Sequence, residues 1–331
     1  MSTRHGLGPH CVGQRVVVRR VLHGVRGPSG GPAMTDLLGI MESWSDEATT
    51  VRGESGELTT IALADIVTGK PVPPKPSVRL RASPEEAERR AVGSWPPLVS
   101  EPLGEWLLRA SDGFSSRANS VLAVGDPGRP FADALRAVRA FYDDRSLPAW
   151  AQVVSGSEVD RSFVDAGWVP ARPGEADTVF SLASVATASR AVRRSARVDV
   201  PVEVSTTPDP AWLADDTRAA SCSLAAAGVL EGPEQVGFAS VREADTVLAK
   251  GRIGCGHDND WAGITDVWVD PARRREGLAL VVLGRLLGWA AERGVSTVYL
   301  QVRGDNEPAL ALYERLGFMP HHAYRYLVPE A

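Results

Sequence analysis

The sequence predicts a three-part α/β (α+β) protein: a small antiparallel β-barrel, then two related halves, each a mixed sheet flanked by helices. Three observations carry this expectation. Short β-type runs alternate with turn residues through the N-terminal part, and a proline-rich stretch, "GKPVPPKPS" (Gly69–Ser77), follows them. The rest of the chain contains the order helix, strand, helix, glycine, aromatic twice.

The barrel strands are "RVVVRRVL", "DLLGIMESW", "ATTVRG" and "LTTIALADIV", separated by "GPSGGPAM", Gly53 and "ESGE". Five short strands with such turns read as an SH3-like barrel over residues 1–76, closed by Ile66 and Val67. A first half is expected at 77–185 and a second at 200–331. "ATASRAVRRSARVDV" (Ala186–Val200) lies between them and reads as a solvated, arginine-rich linker. The two halves echo each other: Gln152-Val153 and Gln301-Val302 lie 149 apart, Gly167 and Gly317 150 apart. Either a duplication or the commonness of αβα patterns accounts for that spacing.

The chemistry concentrates near the C-terminus. "GITDVWVD" reads as a strand, with Gly263, Thr265, Val267 and Val269 on one face and Asp266 and Trp268 on the other. Pro271 ends it, and three arginines, Arg273, Arg274 and Arg275, precede a buried helix that opens near Leu278 and stops at Gly294. A helix start carries free N–H donors and partial positive charge. Within Arg274-Arg275-Glu276-Gly277-Leu278-Ala279 the small residues keep that start open, so its backbone N–H groups can approach a pyrophosphate. The strand "VSTVYLQV" comes next. "DNEPALALYERLG" then forms a second helix, capped by Asp305 or Asn306 and ended by Gly317, and the strand "HHAYRYLV" closes the chain.

In "VDPARRREGLA" and "DNEPALALYERLGF", taken in this order and spacing, the sequence resembles the GCN5-related N-acetyltransferases (GNAT), over roughly Val202–Val328. The middle segment resembles a decayed copy, giving a tandem GNAT fold behind the barrel. That layout is similar to an actinobacterial group of acetyltransferases. The resemblance implies acetyl transfer from acetyl-CoA to an amine by direct attack in a ternary complex. It implies that the N–H groups of Val267, Trp268 and Val269 bind pantetheine and polarise the thioester. Arg274, Arg275, Glu276, Gly277, Leu278 and Ala279 would hold the diphosphate, Asn306 and Ala309 would line the CoA arm, and Tyr313 would protonate the departing thiolate.

The general base stays open among Asp266, His257, Asp258, Glu231, Glu234 and a water. His321 and His322 read as ordinary edge-strand residues. In the middle segment Phe163 stands in the place of Tyr313, and "GDPGRPFADAL" lacks the R-x-x-G-x-A pattern. "FSSRANSV" (Phe114–Val121) reads either as an acceptor-pocket lining or as a packed loop. Trp150, Phe163 and Trp168 are expected to pack the first half against its sister.

The chain has 331 residues, 44% hydrophobic and 23% charged, with a formal charge of −5. That balance argues against a general nucleic-acid binder. Three cysteines at wide spacing suggest neither disulfide framework nor metal site, and point to a reducing cytoplasm. The N-terminal stretch has no apolar core to act as a signal, and no run is long enough to span a bilayer. Expected partners are therefore an amine, small or on a protein lysine or N-terminus, without nucleic acid or membrane, with a homodimer as the open assembly question. The rival reading is a non-catalytic acyl-CoA sensor.

Overall fold

Each short apolar run of the N-terminal part becomes a strand, because alternate residues can be buried against one small core. In a computed structural model, which describes residues 6–26, 30–53, 56–72, 78–195, 198–214, 223–256 and 260–330, these are β1 (Arg15–Arg26), β2 (Pro32–Trp44), β3 (Ala48–Gly53), β4 (Leu58–Ala62) and β5 (Ile66–Pro71). They form an antiparallel sheet in the order β4-β3-β2-β1-β5. Val16, Val18, Met41, Val51, Ile61 and Ile66 meet Leu7 and Cys11 in its core. Gly69, Lys70 and Pro71, expected to open the spacer, belong to β5 and pair with β1. The chain divides into two units, Met1–Ser77 and Val78–Ala331.

The second unit is organised by a twelve-stranded sheet. Its strands are β6 (Val99–Leu103), β7 (Trp106–Ala110), β8 (Val121–Leu122), β9 (Ala151–Val154), β10 (Trp168–Pro170), β11 (Thr178–Ser184), β12 (Glu203–Ser205), β13 (Gln235–Glu243), β14 (Thr246–Cys255), β15 (Trp261–Val269), β16 (Thr297–Arg303) and β17 (Met319–Pro329). The order is β12-β13-β14-β15-β16-β11-β17-β9-β8-β7-β6, with β10 beside β17. Each half contains one parallel pair, β8/β9 and β15/β16, spanned by a helix: α2 (Phe131–Asp143) in the first, α7 (Leu278–Glu292) in the second. The internal echo is therefore structural.

The two halves exchange their last strands. β11, from the first half, pairs along its whole length with β16 of the second, while β17 pairs with β9 of the first. One continuous sheet results, in which β17 is an interior strand; His322 pairs with Phe180 of β11, and β9 joins on the other side from Tyr324 onward. Trp168 pairs with Pro329 and Trp150 lies against Tyr326, so these two do meet the second half. Phe163, by contrast, packs among Trp106, Phe131 and Trp168 inside its own half.

The expected linker is a helix. Beyond α1 (Pro84–Val92) and α3 (Glu158–Asp165), α4 (Val185–Ser195) buries Val185, Ala188 and Val192. Their spacing of three and four residues is a helical stripe that the surrounding arginines disguise. α4 packs on α7, where Gly284 faces the Val192 side chain at close range. The cover on this side explains why α7 is apolar nearly all round.

A buried polar chain pins the strand exchange. His321 Nε2 donates to the Ala82 carbonyl at 2.8 Å, and its Nδ1 lies 2.7 Å from His322 Nδ1. The carbonyl fixes Nε2 as the protonated nitrogen of His321, so His322 Nδ1 is the donor to His321 Nδ1. Burial pushes the His321 pKa below its usual value, which favours this neutral form. His322 Nε2 lies 3.0 Å from Glu88 on α1, whose other oxygen accepts from Gln152 at 2.8 Å. Gln152 in turn accepts from the buried Arg109 at 2.8 Å. Glu88→Ala is expected to destabilise the second unit by about 3–5 kcal/mol, as breaking a buried pair does. Urea unfolding measures this; a loss under about 1 kcal/mol would show that solvent replaces the carboxylate.

Candidate active site

The site begins where β15 leaves β16. The two strands pair only through Trp261–Gly263 with Thr297–Tyr299; beyond Gly263 they part. β15 also carries a bulge. Arg252 of β14 opposes Thr265 and Lys250 opposes Trp268, so Asp266 and Val267 share one position of the partner strand. Asp266 has φ of +52°, a left-handed conformation that ends the simple alternation expected from the sequence. The bulge turns the strand at the mouth of the gap, so Asp266 lines a cavity and Val267, Trp268 and Val269 line the cleft beside it.

That cleft, of about 1120 Å³, is also lined by Arg274, Arg275, Gly277, Leu278, Ala279, Asn306, Ala309 and Tyr313. Arg275 at φ +72° and Gly277 at +87° put left-handed turns just before α7. Such a kinked backbone gathers successive N–H groups around one point. Glu276 does not join the lining: its carboxylate turns to Arg273, 2.9 Å away, so it could serve only through its backbone. Arg273 also reaches Glu243 at 3.4 Å, and is thereby occupied by acidic neighbours.

Asn306 caps α8 (Glu307–Arg315), accepting from the Ala309 N–H at 3.3 Å. One turn on, Tyr313 is buried, and burial alone raises its pKa to about 12. A phenol held in this way keeps its proton at any working pH.

A second cavity, of about 600 Å³, continues past the parted strands and shares Val267, Asn306, Ala309 and Tyr313 with the first. A third, of about 300 Å³, shares Thr265, Asp266, Gln301 and Arg303 with the second and reaches Trp95, Ser115, Ser116, Arg117, Tyr324 and Tyr326. Asp266 and Tyr313 thus both line the second cavity, which adjoins the other two. "FSSRANSV" divides between core and cavity. Phe114, Ala118 and Asn119 are packed, while Ser115, Ser116 and Arg117 line the cavity. Gln301, Tyr324 and Tyr326, by contrast, carry no sequence signature of a site and join this lining only through the fold. Glu231 and Glu234 are exposed and line none of the three cavities. His257 and Asp258 lie outside the described residues.

The first half's equivalent loop is closed from within. The Asp126 N–H donates at 2.7 Å to Glu105, whose carboxylate also accepts from Arg89 at 3.2 Å. Glu105 therefore already occupies the Asp126 N–H, and the Asp126 carboxylate accepts from the Gly128 N–H at 2.7 Å. Gly104 and Gly125 are required there, since a Cβ on either would collide with Pro127 or Glu105.

Among the described residues no cluster of three His, Cys, Asp or Glu side chains is arranged to hold a metal, and no helix is long and apolar enough to cross a membrane.

Residues 82–327 match the family model described as "Probable histone acetyltransferase Rv0428c C-terminal", and residues 10–70 match "Rv0428c N-terminal Sm-like domain". The second match describes the N-terminal barrel as Sm-like, where the sequence suggested an SH3-like one. The chain is similar to the "Probable histone acetyltransferase Rv0428c" of Mycobacterium tuberculosis, 28% identical over 96% of this chain and 95% of that protein. It is also similar to the "Uncharacterized N-acetyltransferase YobR" of Bacillus subtilis, 25% identical over 72% of this chain and 96% of that protein. A solved structure titled "GCN5-related N-acetyltransferase from Kribbella flavida" shares the fold, with a TM-score of 0.51 at 16% identity over 78% of this chain and 97% of that one. The chain belongs to the Rv0428c acetyltransferase family, within the GCN5-related N-acetyltransferases.

Proposed function

We propose that the protein transfers the acetyl group of acetyl-CoA directly to an amine, in a ternary complex at the parted strands of the second half. The observation that carries this is the row of adjoining cavities, in which Asp266 and Tyr313 line the one that shares walls with both the donor-sized cleft and the smaller cavity. The donor cleft is larger than the roughly 300–1,000 Å³ of ordinary small-molecule sites, as a long ligand such as acetyl-CoA requires.

The N–H groups from Arg275 to Ala279 bind the diphosphate at the start of α7, with Arg274 as the leading charge. Val267 to Val269 offer backbone to the pantetheine arm and to the thioester oxygen, and Asn306 and Ala309 form the facing wall. Asp266, directly or through a water, takes a proton from the acceptor ammonium. The freed amine attacks the thioester carbonyl; a C–N bond forms and the C–S bond breaks. Tyr313 gives its phenolic proton to the leaving sulfur and is reprotonated from solvent. Among the described residues, none that lines the three cavities is a cysteine, which supports direct transfer over an acyl-enzyme.

Thiol release from acetyl-CoA, followed with a panel of amines and with mass spectrometry of the products, tests this proposal. Release that depends on the amine and yields the acetylated amine is the expected result; release unaffected by any amine would overturn it. Calorimetry is expected to give one equivalent of acetyl-CoA per chain, because Glu105 already fills the first half's loop. Two equivalents would refute that assignment.

A further inference from the structure

The smaller cavity carries both signs of charge. Asp266 lies at its junction with the second cavity, and Arg117 lines it from the first half. The other two guanidiniums in the lining already have carboxylate partners. Arg303 pairs with Asp305 at 2.6 Å and with Glu175 at 3.0 Å, and Arg172 lies 3.9 Å from Glu175. Arg117 pairs with no carboxylate among the described residues. Its neighbours are the phenols of Tyr324, Tyr326 and Tyr299 and the face of Trp95, 5.3 Å from the guanidinium carbon. Its Nε is buried without a hydrogen-bond partner, as is Nε2 of Gln301 in the same lining. A half-buried guanidinium left in this way lacks the anion that would repay its desolvation.

We propose that the acceptor is a small aminocarboxylate, its ammonium at Asp266 and its carboxylate at Arg117 and Gln301. This rests on the acetyl-transfer proposal above and names the substrate class of that same site. One unpaired guanidinium suits one negative charge, and a planar carboxylate can take two of its N–H groups side by side. A cavity of about 300 Å³ suits a small molecule, at the lower end of the range for such sites.

The test pairs each acid with its carboxamide: α-amino acids with small, aliphatic and aromatic side chains, and ω-amino acids from β-alanine to 6-aminohexanoate. Thiol release and calorimetry are both recorded with the full-length protein, and a lysine-rich peptide serves as the cationic comparison. At least one acid is expected to exceed its amide in kcat/KM by about 10- to 100-fold, the usual effect of a hydrogen bond to a charged group. Arg117→Met is expected to bring that ratio within about threefold, and Arg117→Lys to restore part of it. The KM for acetyl-CoA stays the same in both variants. Equal use of every acid and amide, a preference that survives Arg117→Met, or better use of the lysine-rich peptide would overturn the proposal. If acetyl-CoA binds but no amine is acetylated, the transfer reaction fails. Calorimetry then decides the aminocarboxylate site alone: acids binding no tighter than amides would remove it.

Discussion

Replacing Tyr313 by Phe is expected to lower the rate of the chemical step by about 100-fold or more, the scale on which a positioned general acid contributes. Affinity for acetyl-CoA should hardly change, because the ring still packs against Phe318 and fills the same wall of the cleft. The fold should also survive, since the phenol's pKa is governed by burial alone and no hydrogen-bonded partner is orphaned by its removal. Single-turnover thiol release measures the effect with product dissociation excluded. A near-normal rate there would reduce Tyr313 to a packing residue. The pKa of about 12 adds a check on pH. The useful form of Tyr313 is the protonated one, so its contribution is complete at neutral pH and falls only as pH approaches that value. An alkaline loss of kcat near neutrality that disappears in Tyr313→Phe would contradict this assignment.

The second large effect concerns the donor. Gly277→Asp is expected to weaken acetyl-CoA binding by at least about 100-fold, because juxtaposed like charges cost several kcal/mol and each 1.4 kcal/mol is tenfold in Kd. Gly277 is the N-cap of α7 at φ +87°, so a side chain there also strains the backbone. Gly277→Ala separates the two causes. The added Cβ would meet only the Val198 side chain, at an ordinary 3.6 Å, so this variant bears the strain without the charge. Its Kd should rise far less. Calorimetry on both folded variants decides the matter: equal losses would place the effect in backbone geometry, and unchanged affinity in Gly277→Asp would remove the diphosphate from this loop.

The donor half of the site was legible because its chemistry is local. A glycine, a small residue two positions on and a run of arginines act within one helix start, and neighbours in sequence are neighbours in space there. For the same reason Asn306, Ala309 and Tyr313 fall on one helix and reach one wall. Glu276 was expected to serve through its backbone N–H alone, and its carboxylate turns to Arg273, three residues away. Composition also misled at α4, where three arginines drew attention from a stripe of only three apolar residues, Val185, Ala188 and Val192.

By itself the sequence determined the barrel strands, the order of elements in the second half, the helix start that suits a diphosphate and the loss of the hydroxyl at Phe163. Each of these depends on periodicity or on residues a few positions apart. Only the tertiary structure decided the strand exchange, the bulge that aims Asp266, the Glu105 carboxylate closing the first half's loop and the meeting of Arg117 with Asp266 in one cavity. The physical reason is the same in all four. Backbone hydrogen bonding along a strand is satisfied equally well by many partners, so pairing β11 with β16 rather than with its own half is settled by how the two cores pack. That choice brings residues 149 positions apart, Arg117 and Asp266, to one cavity.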